Sequence, residues 1–262
     1  MSKMSEQKNQ TPDQGQFFRE MQIELLIHDL KDPVAVIETG VRSLLDRRET
    51  NGPLSPRQEK TLKRVLRNAQ KTRSMMYNLL EIGRSQAGCF NCMVFSPVYV
   101  MFESLMEAIE TQCSAIHEQV SACSDSLEQL RILKENGIHL QIDAKMTAFE
   151  MIQDKTKFSQ VVGNLIKNAL HYRKECLNIR MDHIAGLLTV EIQDDGPGID
   201  SKHHETVFQR YTQVKASENL SRNGHGLGLA GARIMARSMN GDVSVICDKE
   251  MGTVFRLVLP VS

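Results

Sequence analysis

Two helical stretches of about 30 residues flank a single break at Asn51-Gly52-Pro53, and each carries its apolar residues along one side. In the first, Ile23, Leu26, Leu30, Ile37, Val41 and Leu44 fall within an arc of about 60° when each residue is advanced by about 100°. The second opens with a strong start signal: Ser55 can cap it, Pro56 suits its first position, and Gln58 completes a capping box. Leu62, Val65, Ala69, Met76, Leu80 and Gly83 then continue an apolar face until Gly88. Two such helices joined by a tight loop make an antiparallel hairpin. One hairpin leaves apolar surface without a partner of matching length, so two copies pairing as a four-helix bundle is the expected solution, and a homodimer follows.

"LIHDLKDPVAV", residues 25–35, places His28 about 200° from Leu26 on the same helix, away from the apolar stripe. An ordinary surface histidine fits that position, and so does a functional one. Pro33 removes a backbone donor just after it and weakens the helix there.

From residue 97 the pattern changes. Residues 97 to about 134 read as one helix, 138–142 as a strand and 156–171 as a helix; 179–181, 187–193, 243–247 and 253–259 read as strands, with a helix at 227–239. Strands and helices mixed without strict alternation indicate an α+β two-layer sandwich, one sheet covered by helices. Expected boundaries are a flexible tail at 1–16, the helical hairpin at 17–88, a linker at 89–97 and the sandwich at 98–262.

Composition narrows the function. Lys plus Arg equals Asp plus Glu at 32 each, so no basic field argues for nucleic acid. No run approaches the roughly 20 apolar residues of a membrane span, and the first 16 residues lack the apolar core of a signal peptide, which points to the cytoplasm. Six cysteines in that setting read as reduced thiols.

Three clusters in the second half carry chemistry. Asn164 and Asn168 are four apart and share a helix face, and amide oxygens suit Mg²⁺, which keeps waters and shares its shell with substrate phosphates. Asp194 ends a strand, and Gly196 and Gly198 let the backbone bend sharply behind it, so its carboxylate could accept from an exocyclic amine such as that of adenine. Gly224, Gly226 and Gly228 precede a helix, where bare N–H groups and the positive helix end suit a phosphate chain. Each alone is weak; their order and spacing together are strong.

Over about residues 17 to 262 the chain resembles the sensor histidine kinases, with a phosphoacceptor hairpin and an ATP-binding domain of the Hsp90, gyrase and MutL type. "HDLKDP" is similar to the family's H box, "NLIKNA" to its N box, "DDGPG" to its first glycine box, "VFQRY" to its F box and "GHGLGL" to its second glycine box, and "GTVFRLVLP" looks like its final strand. The resemblance implies that His28 is the phosphoacceptor and Asp29 its neighbouring acid or base. It implies that Asn168 holds Mg²⁺ with help from Asn164, that Asp194 recognises adenine, that Tyr172 lies near the base or ribose, and that Phe208 sits on a lid over ATP. The implied activity is autophosphorylation on His28 and transfer to an aspartate in a response regulator receiver domain, with a sensory protein in trans as a possible source of the signal. A non-catalytic histidine phosphotransfer or scaffold dimer on the same fold is the alternative.

Three departures stand out. Asp32 occupies a position that is Thr or Asn in most relatives; a carboxylate there can hydrogen-bond the ring but repels an incoming acyl phosphate, so weak partner dephosphorylation is expected. Gln213 stands where many relatives have a basic residue, leaving Arg210, Lys215 or Arg222 to approach the phosphates. Counted against loop-length expectations, about 15 residues more than usual lie between residue 97 and the strand at 138. Cys113 and His117 are four apart in that region, and Cys89 and Cys92 are spaced Cys-x-x-Cys in the linker, a set that could bind zinc or respond to redox change; small apolar packing by reduced thiols is the competing explanation.

Overall fold

The computed structural model describes residues 14–46, 52–86, 88, 90–209, 228–248 and 252–261. The chain divides into two compact units, 1–87 and 88–262.

The first unit is a helical hairpin, α1 (Gln14–Asp46) and α2 (Pro56–Gln86). α1 begins inside the stretch expected to be a tail and continues through Pro33. The capping box at the start of α2 is present: Ser55 N–H donates to Gln58 Oε1 at 2.9 Å, and Gln58 N–H donates to Ser55 Oγ at 3.3 Å. Ile27, Val34 and Met76 form the hairpin's core with Ala69 and Leu80 against them. Glu38, only 4% exposed, accepts from Arg73 at 2.6 Å.

The apolar arc of α1 is not buried as a whole. Ile27, Val34, Glu38 and Val41 are buried, whereas Leu30, Ile37 and Leu44 are 52%, 47% and 41% exposed. At about 100° per residue the buried set fills a sector of about 60° that adjoins the expected arc and shares Val41 with it, while Leu30, Ile37 and Leu44 lie inside the arc. α2 is a single neighbour and covers only the buried sector.

The second unit holds a five-stranded sheet in the order β2-β4-β5-β7-β6, with β2 (Ile138–Ile142) parallel to β4 (Leu177–Ile184) and the remaining pairs antiparallel. β5 (Leu187–Asp194) and β7 (Gly252–Pro260) are central, and β6 (Asp242–Asp248) is an edge. Alternate residues face inward: Leu188, Val190 and Ile192 on β5, and Phe255, Leu257 and Leu259 on β7, are buried. The intervening positions are polar in part, as where Arg256 pairs with Glu191 at 2.7 Å. A sheet apolar on one face requires a helical layer there. α3 (Pro97–Gln112), α6 (Lys155–Tyr172) and α7 (Gly228–Ser238) supply it, completing one core with the strands. This is a two-layer α+β sandwich.

The helix expected over 97–134 is three: α3, α4 (Ser114–Ser121) and α5 (Ser126–Glu135). Cys113 leaves helical geometry at φ −138°, and Asp125 caps a new helix by accepting from Leu127 N–H at 3.3 Å. β4 is longer than the expected 179–181 because Ala185 and Gly186, at φ 53° and 76°, make a tight hairpin to β5. Within the expected linker, β1 (Cys92–Phe95) pairs with β3 (Met151–Asp154) in a second, two-stranded sheet that the periodicity did not reveal.

That small sheet is fastened at its start. Asn91 N–H donates to Asp154 Oδ2 at 3.1 Å. Lys157, fully buried, lies 3.8 Å from the same carboxylate oxygen and 4.0 Å from the centre of the Phe90 ring. Among the described residues no helix is long and apolar enough to cross a membrane.

Candidate functional site

α6 starts at Asp154, which caps it by accepting from Lys157 N–H at 3.1 Å. Phe158, Val161, Val162, Leu165, Ile166 and Ala169 anchor it in the core, all fully buried. With the apolar side fixed inward, Asn164 and Asn168 stand together on a half-buried face. A methyl group added to Gly228, the first residue of α7, would lie 3.7 Å from Asn164 Oδ1. Asn164 therefore meets the N-terminal end of α7, where backbone donors and the helix dipole favour an anion.

Asp194 closes β5 and is 1% exposed. Gly196 N–H donates to its Oδ1 at 2.9 Å. The other oxygen, Oδ2, is enclosed and has no hydrogen-bond partner, and the same is true of Asn164 Nδ2. Burial pushes the Asp194 carboxyl up to about 6, against the opposing backbone hydrogen bonds from Gly196 and Thr253. Gly196 is required by space: a Cβ there would stand 2.5 Å from the Tyr172 carbonyl oxygen and 2.6 Å from Asp194 Oδ1. Gly198 has φ 71°, a conformation that glycine adopts without strain.

The neighbouring acid does something else. Asp195 Oδ1 accepts from Lys174 N–H at 2.8 Å, and both its oxygens accept from Glu175 N–H at 3.1 and 3.2 Å. Its partial burial raises the carboxyl pKa, but these bonds and one involving Cys176 hold it net below the ordinary value. Asp195 thus pins the turn between α6 and β4.

The structure brings Asp194, Gly196 and the Tyr172 backbone together at one end of α6, and Asn164 together with Gly228 two turns earlier. The Tyr172 ring is 41% exposed and meets His171 edge-on. Phe208 is buried in a 3-10 turn, Thr206–Phe208, with the Arg233 guanidinium 4.8 Å from its ring centre. Arg233 also donates to Glu205 at 2.7 Å and Asp242 at 3.0 Å, so this turn is tied to α7.

Asp29 and Asp32 are exposed on α1. The His28 side chain, Gly224, Gly226, Arg210, Gln213, Lys215, Arg222 and Cys89 lie outside the described residues. Cys92 is exposed, Cys113 packs in part against the core, and His117 Nε2 is 3.3 Å from Ser121 Oγ. Among the described residues, no three His, Cys, Asp or Glu side chains group as metal ligands.

Two residues at the site were not singled out by sequence. Thr253, 4% exposed, stands opposite Asp194 in the β5–β7 register, and its backbone works against the upward shift of that carboxyl. Cys247 Sγ accepts from Ile199 N–H at 3.3 Å, holding the segment that follows Gly198; burial pushes this thiol's pKa up. The motif "GTVF" was the available signal for Thr253, and only strand pairing reveals that it backs Asp194.

An amide pair, an enclosed carboxylate oxygen without a partner and a helix N-terminus lie in sequence along one side of α6. Their donor chemistry fits a nucleotide: an acceptor for an amine at one end, and amides with helix donors for phosphates at the other. Two neutral amide oxygens also fit Mg²⁺, a hard cation that takes oxygen ligands.

Residues 153–262 match the model of the histidine kinase-, DNA gyrase B-, and HSP90-like ATPase family. The adaptive-response sensory kinase SasA of Synechococcus sp. (strain JA-2-3B'a(2-13)) is 26% identical over 249 residues, which are 93% of this chain and 60% of that protein. The sensor histidine kinase GlrK of Escherichia coli (strain K12) is 24% identical over 239 residues, 90% of this chain and 45% of the relative. The chain thus spans about half the length of these relatives. The crystal structure of full-length ShkA in complex with AMPPNP shares the fold, with a TM-score of 0.63 at 17% identity over 93% of this chain and 46% of that one.

Proposed function

We propose, from the kinship of this chain with the sensor histidine kinases and the ATPase domain of that family in residues 153–262, that it is an ATP-dependent protein histidine kinase. The observation that carries this reading is Asp194 Oδ2, a buried acceptor without a partner, at the head of a row that leads past Asn168 and Asn164 to the start of α7. Asp194 accepts from the exocyclic amine of adenine, Gly196 and Gly198 shape the turn beside the base, and the exposed Tyr172 lies near base or ribose. Phe208 sits on the lid over ATP. Gly224, Gly226 and Gly228 present backbone donors to the phosphates.

Asn168, with Asn164, would hold Mg²⁺, which when bound neutralises phosphate charge. The chain's own contribution is alignment. A nitrogen of the His28 ring forms a bond to the terminal phosphorus, the bond from that phosphorus to its bridging oxygen breaks, ADP leaves, and the ring proton passes to Asp29. The phosphoryl group then moves to an aspartate of a response regulator receiver domain. The half-exposed Leu30, Ile37 and Leu44 support a homodimer in which two hairpins close a four-helix bundle. A signal reaches this dimer from a sensory protein in trans, and the five described cysteines, all free, accord with a reducing cytoplasm.

Incubation with γ-labelled ATP and Mg²⁺ tests the reading. Wild-type protein is expected to acquire acid-labile label and His28→Ala none. Label retained by His28→Ala, or absent from wild type, would overturn the assignment.

A further inference from the structure

Asn164 and Asn168 have a third companion. Gln160 lies one turn before Asn164, so positions 160, 164 and 168 form one row on α6. Three contacts fix the direction of that row. Gly196, beside Asp194, borders the Tyr172 carbonyl at the end of α6; Gly228, the first residue of α7, borders Asn164; and Gln153, before α6, donates to Met239 O at 3.5 Å, just past the end of α7. α7 therefore runs antiparallel to α6, and the row leads from Asp194 past the N-terminus of α7 to Gln160. At about 1.5 Å of rise per residue, Gln160 stands about 6 Å beyond Asn164 and about 18 Å from the level of Tyr172.

The Gln160 side chain is half-buried, yet its Oε1 is enclosed and has no hydrogen-bond partner. Asn164 Nδ2 and Asp194 Oδ2 share that condition, so three such atoms follow one line. Enclosed polar atoms left unpaired are rare because each forgoes its bonds to water. An amide can present either its oxygen or its nitrogen by rotation, so Gln160 can accept from a water on a cation or donate to a phosphate oxygen.

We infer that Gln160 is a binding residue for the last phosphate of a nucleoside triphosphate and its cation, and so distinguishes triphosphate from diphosphate. This rests on the nucleotide reading above. A diphosphate laid along the row from Asp194 ends short of Gln160, whereas a third phosphate extends towards it.

Isothermal titration of the full chain with AMPPNP and with ADP, each in Mg²⁺, separates the possibilities. Gln160→Ala is expected to weaken AMPPNP binding by about tenfold and to leave ADP binding within about twofold. Gln160→Met preserves side-chain volume without the amide and is expected to show the same selective loss; melting of each variant without nucleotide identifies the folded one to read. Equal weakening of both nucleotides, or no change in either, overturns the inference. A wild type that binds ADP while the variants show no selectivity sinks this inference alone, and a wild type that binds neither nucleotide sinks the nucleotide reading with it.

Discussion

Asp194 and Asp195 are adjacent in sequence and opposite in use. Asp195 spends its oxygens on backbone N–H groups of the turn between α6 and β4, while Asp194 keeps one enclosed oxygen unpaired. "DDGPG" announced a carboxylate at a bend, but which acid faces a ligand depends on strand pairing and burial, which no spacing rule encodes. Protonation of Asp194 places a proton on Oδ2, since Oδ1 already accepts from Gly196, and so replaces the acceptor a base amine needs. With its carboxyl raised to about 6, nucleotide affinity is expected to fall as pH drops through about 6, by up to tenfold per unit. Titrations from pH 5 to 8 read this, and Asp194→Asn should bind weakly at every pH. The stability linkage has its own sign. A carboxyl raised in the folded state makes the unliganded protein less stable as pH rises from about 4 through about 6, so Asp194→Asn should be more stable than wild type at pH 8, by on the order of 1–3 kcal/mol, and melt higher. A lower melting temperature at pH 8 would contradict it.

Helix periodicity in α1 located an apolar arc without saying how it would be shared. The hairpin partner covers the sector beside that arc, which holds Ile27 and Val34 and meets the arc at Val41, and it leaves Leu30, Ile37 and Leu44 half-exposed. In the proposed dimer those three are where a second copy would pack. Ile37→Glu is therefore expected to shift the protein from dimer to monomer in analytical ultracentrifugation while preserving its helical circular dichroism. Val34→Ala, which opens a gap inside the hairpin, should cost stability by about 2 kcal/mol without that change in mass. Elsewhere the limits of legibility were local. A run of helix formers hid the break at Cys113, whereas Asp125 and the pair Ala185-Gly186 carried turn chemistry that marks boundaries once its partners are known. β1 and β3, four residues each, are too short for alternation to declare them.

At the scale of the molecule, the hairpin and the sandwich each close a core of their own. Separate cores imply separable unfolding. Scanning calorimetry of the full chain is expected to resolve two transitions, and only the one that belongs to residues 88–262 should move upward with ADP. One cooperative transition, or a shift of both, would be evidence against independence. The buried Lys157 and Asp154, with Phe90 and Asn91 drawn onto them, determine where the second unit begins to grip the chain. Between the last residue of α2, Gln86, and that grip at Phe90 there are four peptide steps, a leash of no more than about 14 Å.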